Sequence, residues 1–117
     1  MKSVLRLCLA ALGGLLVSTA ASAAPQAFGA CAACHTLDGA TGLGPTLKGV
    51  YGRKAGSLKG FTFSPAMRKS GKTWDDATLD AFLTDPQKAV PGNVMPFPGV
   101  ADAKGRAEII EFLKTTK

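Results

Sequence analysis

The sequence predicts one all-α domain of three to five helices separated by long irregular loops. Three observations lead there. Apolar residues recur at i, i+3, i+4 around Leu79 and again around Ile110, each time between helix start and stop signals. Residues 36–60 and 90–99 are too rich in glycine and proline for helix or central strand. No pair of β-branched runs flanks residues 31–35 to suggest a βαβ unit.

Residues 25–34 suffice only for a short helix, with Phe28 as its one large apolar side chain. Residues 36–60 read as one long loop, and loops of that length in compact domains usually serve a function. A short helix is expected over 64–70, with Pro65 in its first turn and Gly71 as its stop. Thr73 is expected to cap the next helix, with Asp75 and Asp76 at the positive end of its dipole. Leu79, Phe82 and Leu83 form that helix's apolar stripe, and Pro86 ends it. A final helix is expected over 102–115, carrying Ile109, Ile110, Phe112 and Leu113 on one side. No internal repeat, low-complexity tract or linker divides the chain.

The chemistry enters at Cys31-Ala32-Ala33-Cys34-His35, the C-x-x-C-H signature of covalent c-type haem attachment. Two thiols three positions apart lie along one helical turn and can add across two vinyl groups on one porphyrin edge, while the next residue turns an imidazole toward the iron. A structural zinc site needs four ligands, and outside the N-terminal segment the chain offers only Cys31, Cys34 and His35. A thioredoxin-like dithiol would sit beside a βαβ pattern. One covalent haem c, with its iron, is therefore the expected cofactor.

The N-terminus fits that expectation. Lys2 and Arg6 precede an apolar run over 7–17, and small residues follow to Ala21-Ser22-Ala23, the layout of a secretory signal with an A-x-A cleavage site. Residues 1–23 are read as signal peptide and 24–117 as the mature domain, placed in the periplasm. The apolar run is too short for an uncleaved anchor, so the mature form has no membrane span. Cys8 leaves with the leader, and no cysteine remains for a disulfide. A domain this small has a marginal core, which a buried haem would complete, and the apo chain is expected to fold poorly.

His35 is the only histidine, so bis-histidine ligation within one chain is excluded. Met95 is the preferred sixth ligand because its rigid Pro-Gly-rich loop can hold a thioether at fixed distance. Met67, a lysine amine and an open site are the alternatives, although a methionine on a short helix is more often core packing.

The chain resembles a class I cytochrome c, of the type shared by mitochondrial cytochrome c and bacterial cytochrome c2. Besides the pentapeptide, the resemblance rests on Gly44-Pro45-Thr46-Leu47-Lys48-Gly49-Val50-Tyr51-Gly52-Arg53, Gly60-Phe61, Trp74 and Pro91-Gly92-Asn93-Val94-Met95-Pro96-Phe97. It implies His35 as proximal ligand, its other ring nitrogen donating to the Pro45 carbonyl, and Met95 as distal ligand. It implies that Arg53 and Trp74 approach a haem propionate, and that Asn93 stands in for a hydroxyl near the propionate and the methionine loop, its amide able to supply a comparable bond. Phe97 would cover the haem edge, and Phe28 and Phe112 would meet where the terminal helices cross. Phe63 and Phe82 stand where mitochondrial members have tyrosines, and Met67 where they have asparagine, so the haem surroundings are more apolar. The glycine usual in the first helix is absent, which predicts weaker packing on the last.

With both axial positions filled by protein, the iron is left one-electron exchange, which makes the chain an electron carrier and not an enzyme. A haem peroxidase or gas sensor, should Met95 be labile, and a haem subunit of a periplasmic dehydrogenase are the alternatives. A peroxidase usually wants a distal acid/base, and no second histidine provides one.

Fourteen basic and eight acidic side chains give +6, and losing Lys2 and Arg6 leaves +4. Residues 39–74 carry seven basic side chains and no acid, whereas 75–85 carry four aspartates and no base. This is either a pair of solvated faces or a dipole that orients the protein toward an acidic partner. Nucleic-acid binding has no support beyond the basic balance. The resemblance implies a monomer serving a membrane-bound quinol-oxidising complex, a terminal oxidase, a photosynthetic reaction centre or a periplasmic dehydrogenase. Gln87, Val94 and Ala30 replace docking lysines of mitochondrial members, while Lys88 is kept, so docking is expected to depend less on salt.

Overall fold

The computed structural model describes Gly14 and residues 22–117. All of the expected leader except Gly14, Ser22 and Ala23 lies outside the described residues. A 3-10 turn, Gln26–Phe28, runs into α1 (Gly29–Ala32). After a long irregular stretch come α2 (Pro65–Lys69), α3 (Asp76–Thr84), α4 (Pro86–Ala89) and α5 (Ala103–Thr115). The described residues form no strand, only an isolated antiparallel bridge between Lys54 and Thr73. The all-α expectation holds.

Local chemistry sets the boundaries. Ser64 caps α2 by accepting the Met67 N–H at 3.1 Å, Pro65 sits where its missing N–H costs nothing, and Gly71 turns the chain away at φ +70°. Thr73 does not cap α3, contrary to the sequence expectation. It is drawn into the bridge with Lys54, and Asp75 caps instead. The Asp75 carboxylate accepts the Thr78 N–H at 2.8 Å while the Thr78 hydroxyl accepts the Asp75 N–H at 2.9 Å, a reciprocal box. That backbone donor holds the Asp75 carboxyl below its ordinary pKa.

Pro86 ends α3, as expected, and also starts α4, which the sequence reading lacked. Asp85 closes α3 and caps α4, accepting the Lys88 N–H at 3.1 Å, with Pro86 at the first helical position. An Asp-Pro pair is a start signal as well as a stop.

The terminal elements cross as expected, with Phe28 and Phe112 edge to face at 5.0 Å and Phe28 only 3% exposed. Close approach there is supplied from the last helix: a Cβ on Gly105 would stand 3.4 Å from the Ala27 methyl. Arg106 fastens α5 to α3 through Asp80 at 2.7 Å and to the preceding loop through the Val100 and Ala101 carbonyls. Leu79, Phe82 and Leu83 of α3 and Ile109, Ile110, Phe112 and Leu113 of α5 join the buried core.

The four aspartates of 75–85 each have a local task. Asp75 and Asp85 cap helices, Asp80 pairs with Arg106, and Asp76 binds Lys114 at 3.0 Å and accepts the Tyr51 hydroxyl at 2.8 Å.

Candidate functional site

Beside this core lies a cavity of about 460 Å³, lined mainly by apolar side chains. All nine residues singled out from the sequence reach it: Cys31, Cys34, His35, Pro45, Arg53, Trp74, Asn93, Met95 and Phe97. They come from four separate stretches of chain, brought together by the two long irregular segments.

The histidine side is built on one helical turn. The Cys34 and His35 N–H groups both donate to the Cys31 carbonyl, at 3.1 and 2.9 Å, which sets the two thiols and the imidazole on the cavity wall. Neither thiol is in a disulfide, and burial pushes the Cys31 thiol above its ordinary pKa. His35 Nδ1 lies 2.7 Å from the Pro45 carbonyl. A carbonyl can only accept, so Nδ1 carries the proton and Nε2 keeps its lone pair for a metal. Gly44 makes this approach feasible, because a Cβ there would stand 2.6 Å from Cε1 and 2.8 Å from Nδ1 of His35.

Arg53 and Trp74 are neighbours through the short antiparallel pairing, in which the Trp74 N–H donates to the Arg53 carbonyl at 3.0 Å. The guanidinium is aimed by the Thr46 and Lys48 carbonyls at 3.0 and 3.1 Å, which leaves three of its five donors for another partner. Burial pulls the Arg53 pKa below its ordinary value, so this wall favours an anion beside it. Trp74 is 8% exposed, lies tilted at 59° against Phe82 with ring centroids 5.0 Å apart, and lines the same cavity.

On the methionine side, Met95 and Phe97 are half-buried and line the cavity. Asn93 differs from what the resemblance implied. Its two amide hydrogens go to the Pro86 and Val90 carbonyls at 2.8 and 2.9 Å, and its Oδ1 accepts the Met95 N–H at 3.0 Å. No donor remains for a carboxylate, so Asn93 braces the methionine loop and does not bond a propionate. Met67, Phe63 and Phe82 also line the cavity, in keeping with their reading as apolar replacements around the cofactor.

The sequence reading missed Gln87 as a structural partner: its Nε2 donates to the Asn93 carbonyl at 2.9 Å. Nothing in the residue pattern signals that bond. Ile109 and Leu113 of α5, read only as core, also form part of the cavity wall. Their i, i+4 spacing marks them as inward-facing without saying what they face.

The donor set suits a covalently held haem. Two unpaired thiols one turn apart, an imidazole with a free Nε2 and a thioether share one apolar cavity with a half-desolvated arginine. An iron porphyrin bearing two carboxylates presents the complementary groups.

Comparison with known proteins agrees. The family model described as cytochrome c matches residues 21–117. The chain is 52% identical over 93 residues to cytochrome c2 iso-2 of Magnetospirillum fulvum, covering 79% of this chain and 97% of that protein. It is 46% identical to cytochrome c2 of Rhodomicrobium vannielii, covering 77% of this chain and 74% of that protein. The solved structure of cytochrome cH from Methylobacterium extorquens superposes with a TM-score of 0.73 at 53% identity, covering 76% of this chain and 91% of that one.

Proposed function

The chain belongs to the cytochrome c family, class I and of the c2 type, and we propose that it is a periplasmic shuttle whose haem iron is held by His35 and Met95. Members of this type carry one covalent c-type haem and transfer electrons. The observation that carries the proposal is the pairing of a tautomer-fixed imidazole with a thioether in one cavity. When bound, the haem supplies one-electron exchange between Fe(II) and Fe(III).

The chain's own residues do the rest. Cys31 and Cys34 fix the cofactor, and Pro45 holds His35 in the tautomer that leaves Nε2 free. Met95 would supply a second protein ligand to the iron, a thioether that favours the reduced state and would leave no position for oxygen or peroxide. Arg53 and Trp74 would receive a carboxylate of the haem, and Phe97 with the apolar wall would keep water from it. With no open site and no second histidine, the protein works as a carrier and not as an enzyme.

Export to the periplasm is supported by the leader pattern over 1–23, with 24–117 as the mature domain. No helix among the described residues is long and apolar enough to cross a membrane. The partners that fit are a quinol-oxidising complex, a terminal oxidase, a reaction centre or a periplasmic dehydrogenase, met by a monomer.

Optical spectra of the purified holoprotein and its Met95→Ala variant test the reading. The oxidised wild type is expected to show the weak near-infrared band of methionine-to-iron charge transfer, and the variant to lose it. A high-spin wild type that binds carbon monoxide when reduced would instead make the site open and favour the peroxidase or sensor reading.

A further inference from the structure

We propose that Asn93 and Gln87 form a strap that controls how readily Met95 leaves the cavity, which makes them positioning residues for the ligand. The inference rests on the reading of Met95 as axial ligand and goes beyond it. Asn93 is 6% exposed and uses all its amide chemistry inside the protein. The orientation of that amide is unambiguous, because carbonyls can only accept and the Met95 N–H can only donate.

The anchor of the strap is firm. Pro86, whose carbonyl takes one amide hydrogen, is among the most deeply buried side chains of the molecule. Val90, whose carbonyl takes the other and also accepts the Asn93 N–H at 3.1 Å, is 2% exposed. The Met95 backbone is thus tied, through one side chain, to two points fixed in the core. Gln87 adds an outer tie, its exposed side chain crossing to the Asn93 carbonyl.

These bonds join the residue two positions before Met95 to α4 and the residue that follows it. Val94, between strap and ligand, is 74% exposed and contributes no comparable anchorage. For the loop to carry Met95 out of the cavity, the Met95 N–H must leave Asn93 Oδ1 or Asn93 must leave the core. Either route exposes a buried polar group that loses its partner.

The test follows displacement of the methionine by imidazole in the oxidised holoprotein, read as loss of the near-infrared band. Hydrogen exchange at the Met95 amide and the global unfolding midpoint are measured alongside. Asn93→Ala is expected to speed displacement at least about tenfold and to unprotect the Met95 amide. Gln87→Ala removes one exposed tie, so it is expected to speed displacement about threefold with the global midpoint nearly unchanged. The Gln87 variant keeps the test decisive should Asn93→Ala not fold. Wild-type rates in the folded variants, with the band intact, overturn the strap alone. A wild type without the band overturns the ligand reading and the strap with it.

Discussion

The two sides of the cavity are held in place by different means. On the histidine side, a single 2.7 Å bond to Pro45 orients the ring, Gly44 lets the loop lie against it, and the two thiols of the preceding turn are there to be tied to the cofactor. On the methionine side nothing is covalently fixed. Met95 sits on a loop without helix or strand, braced by a buried asparagine and by Gln87. A ligand beside its covalent anchor needs only orientation, whereas one far along the chain needs a scaffold of its own.

The largest test asks whether either side stands without the cofactor. Without the cofactor, an apolar cavity of about 460 Å³ adjoins the core of a small domain whose whole stability is about 5–15 kcal/mol. The Cys31→Ala/Cys34→Ala chain, prepared free of haem, is expected to lose most of its far-ultraviolet helix signal and its cooperative unfolding. A cooperative transition with native helix content would show that both sides support themselves.

A smaller effect separates the two sides. Gly44→Ala places a methyl against the His35 ring, which must rotate away from the Pro45 carbonyl or push the loop outward. Denaturant unfolding of the holoprotein is expected to show a loss of about 1–3 kcal/mol. The haem spectrum should change through the imidazole while the methionine band survives. Equal disturbance of both signals would mean that the sides are coupled.

Acid sharpens the comparison further. Three carboxyls are held below their ordinary pKa: Asp38 on the histidine side, by the Ala40 N–H, and Asp75 and Asp76 at the start of α3, by the Thr78 N–H and by Lys114. A depressed carboxyl contributes stability that is fully present above its unfolded pKa and is lost as pH falls through the folded value. The loss is therefore expected to begin near the ordinary value of 3.8 and to continue below it. Asp75→Asn keeps a capping side chain but removes the titration, so its stability curve should fall less steeply there than that of the wild type. An identical acid slope would assign the loss to other groups.

Much of this arrangement is legible in the sequence because it depends on local signals. The pentapeptide, the apolar stripes at Leu79 and Ile110 and the Ser64-Pro65 start each state their role within a few residues. What stayed hidden depends on competition or on distance. Thr73 and Asp75 are both acceptable caps, and the choice was made by the bridge to Lys54, far back in the chain. Asn93 sits where the resemblance suggested a bond to the cofactor. Its amide turned inward because the carbonyls of Pro86 and Val90 lie within reach. Such choices are made by tertiary geometry, which single-residue preferences do not encode.

The smallest expected effect concerns the rim where the two sides meet solvent. Leu43 on the histidine side and Val94 on the methionine side are 84% and 74% exposed, and both border the cavity. Ala30 joins them on the rim, and Gln87 stands near by with its amide turned to the Asn93 carbonyl. A partner approaching this edge meets apolar surface with few charges, so screening by salt removes little of the attraction. Electron transfer to the physiological partner is expected to slow less with ionic strength than in lysine-rich relatives. Val94→Lys should steepen that dependence through the on-rate, since exposed rim charges act mainly on encounter. Leu43→Ala should instead weaken binding at every salt concentration. A steep salt dependence in the wild type would move the docking surface away from this rim, toward the basic side chains of 39–74.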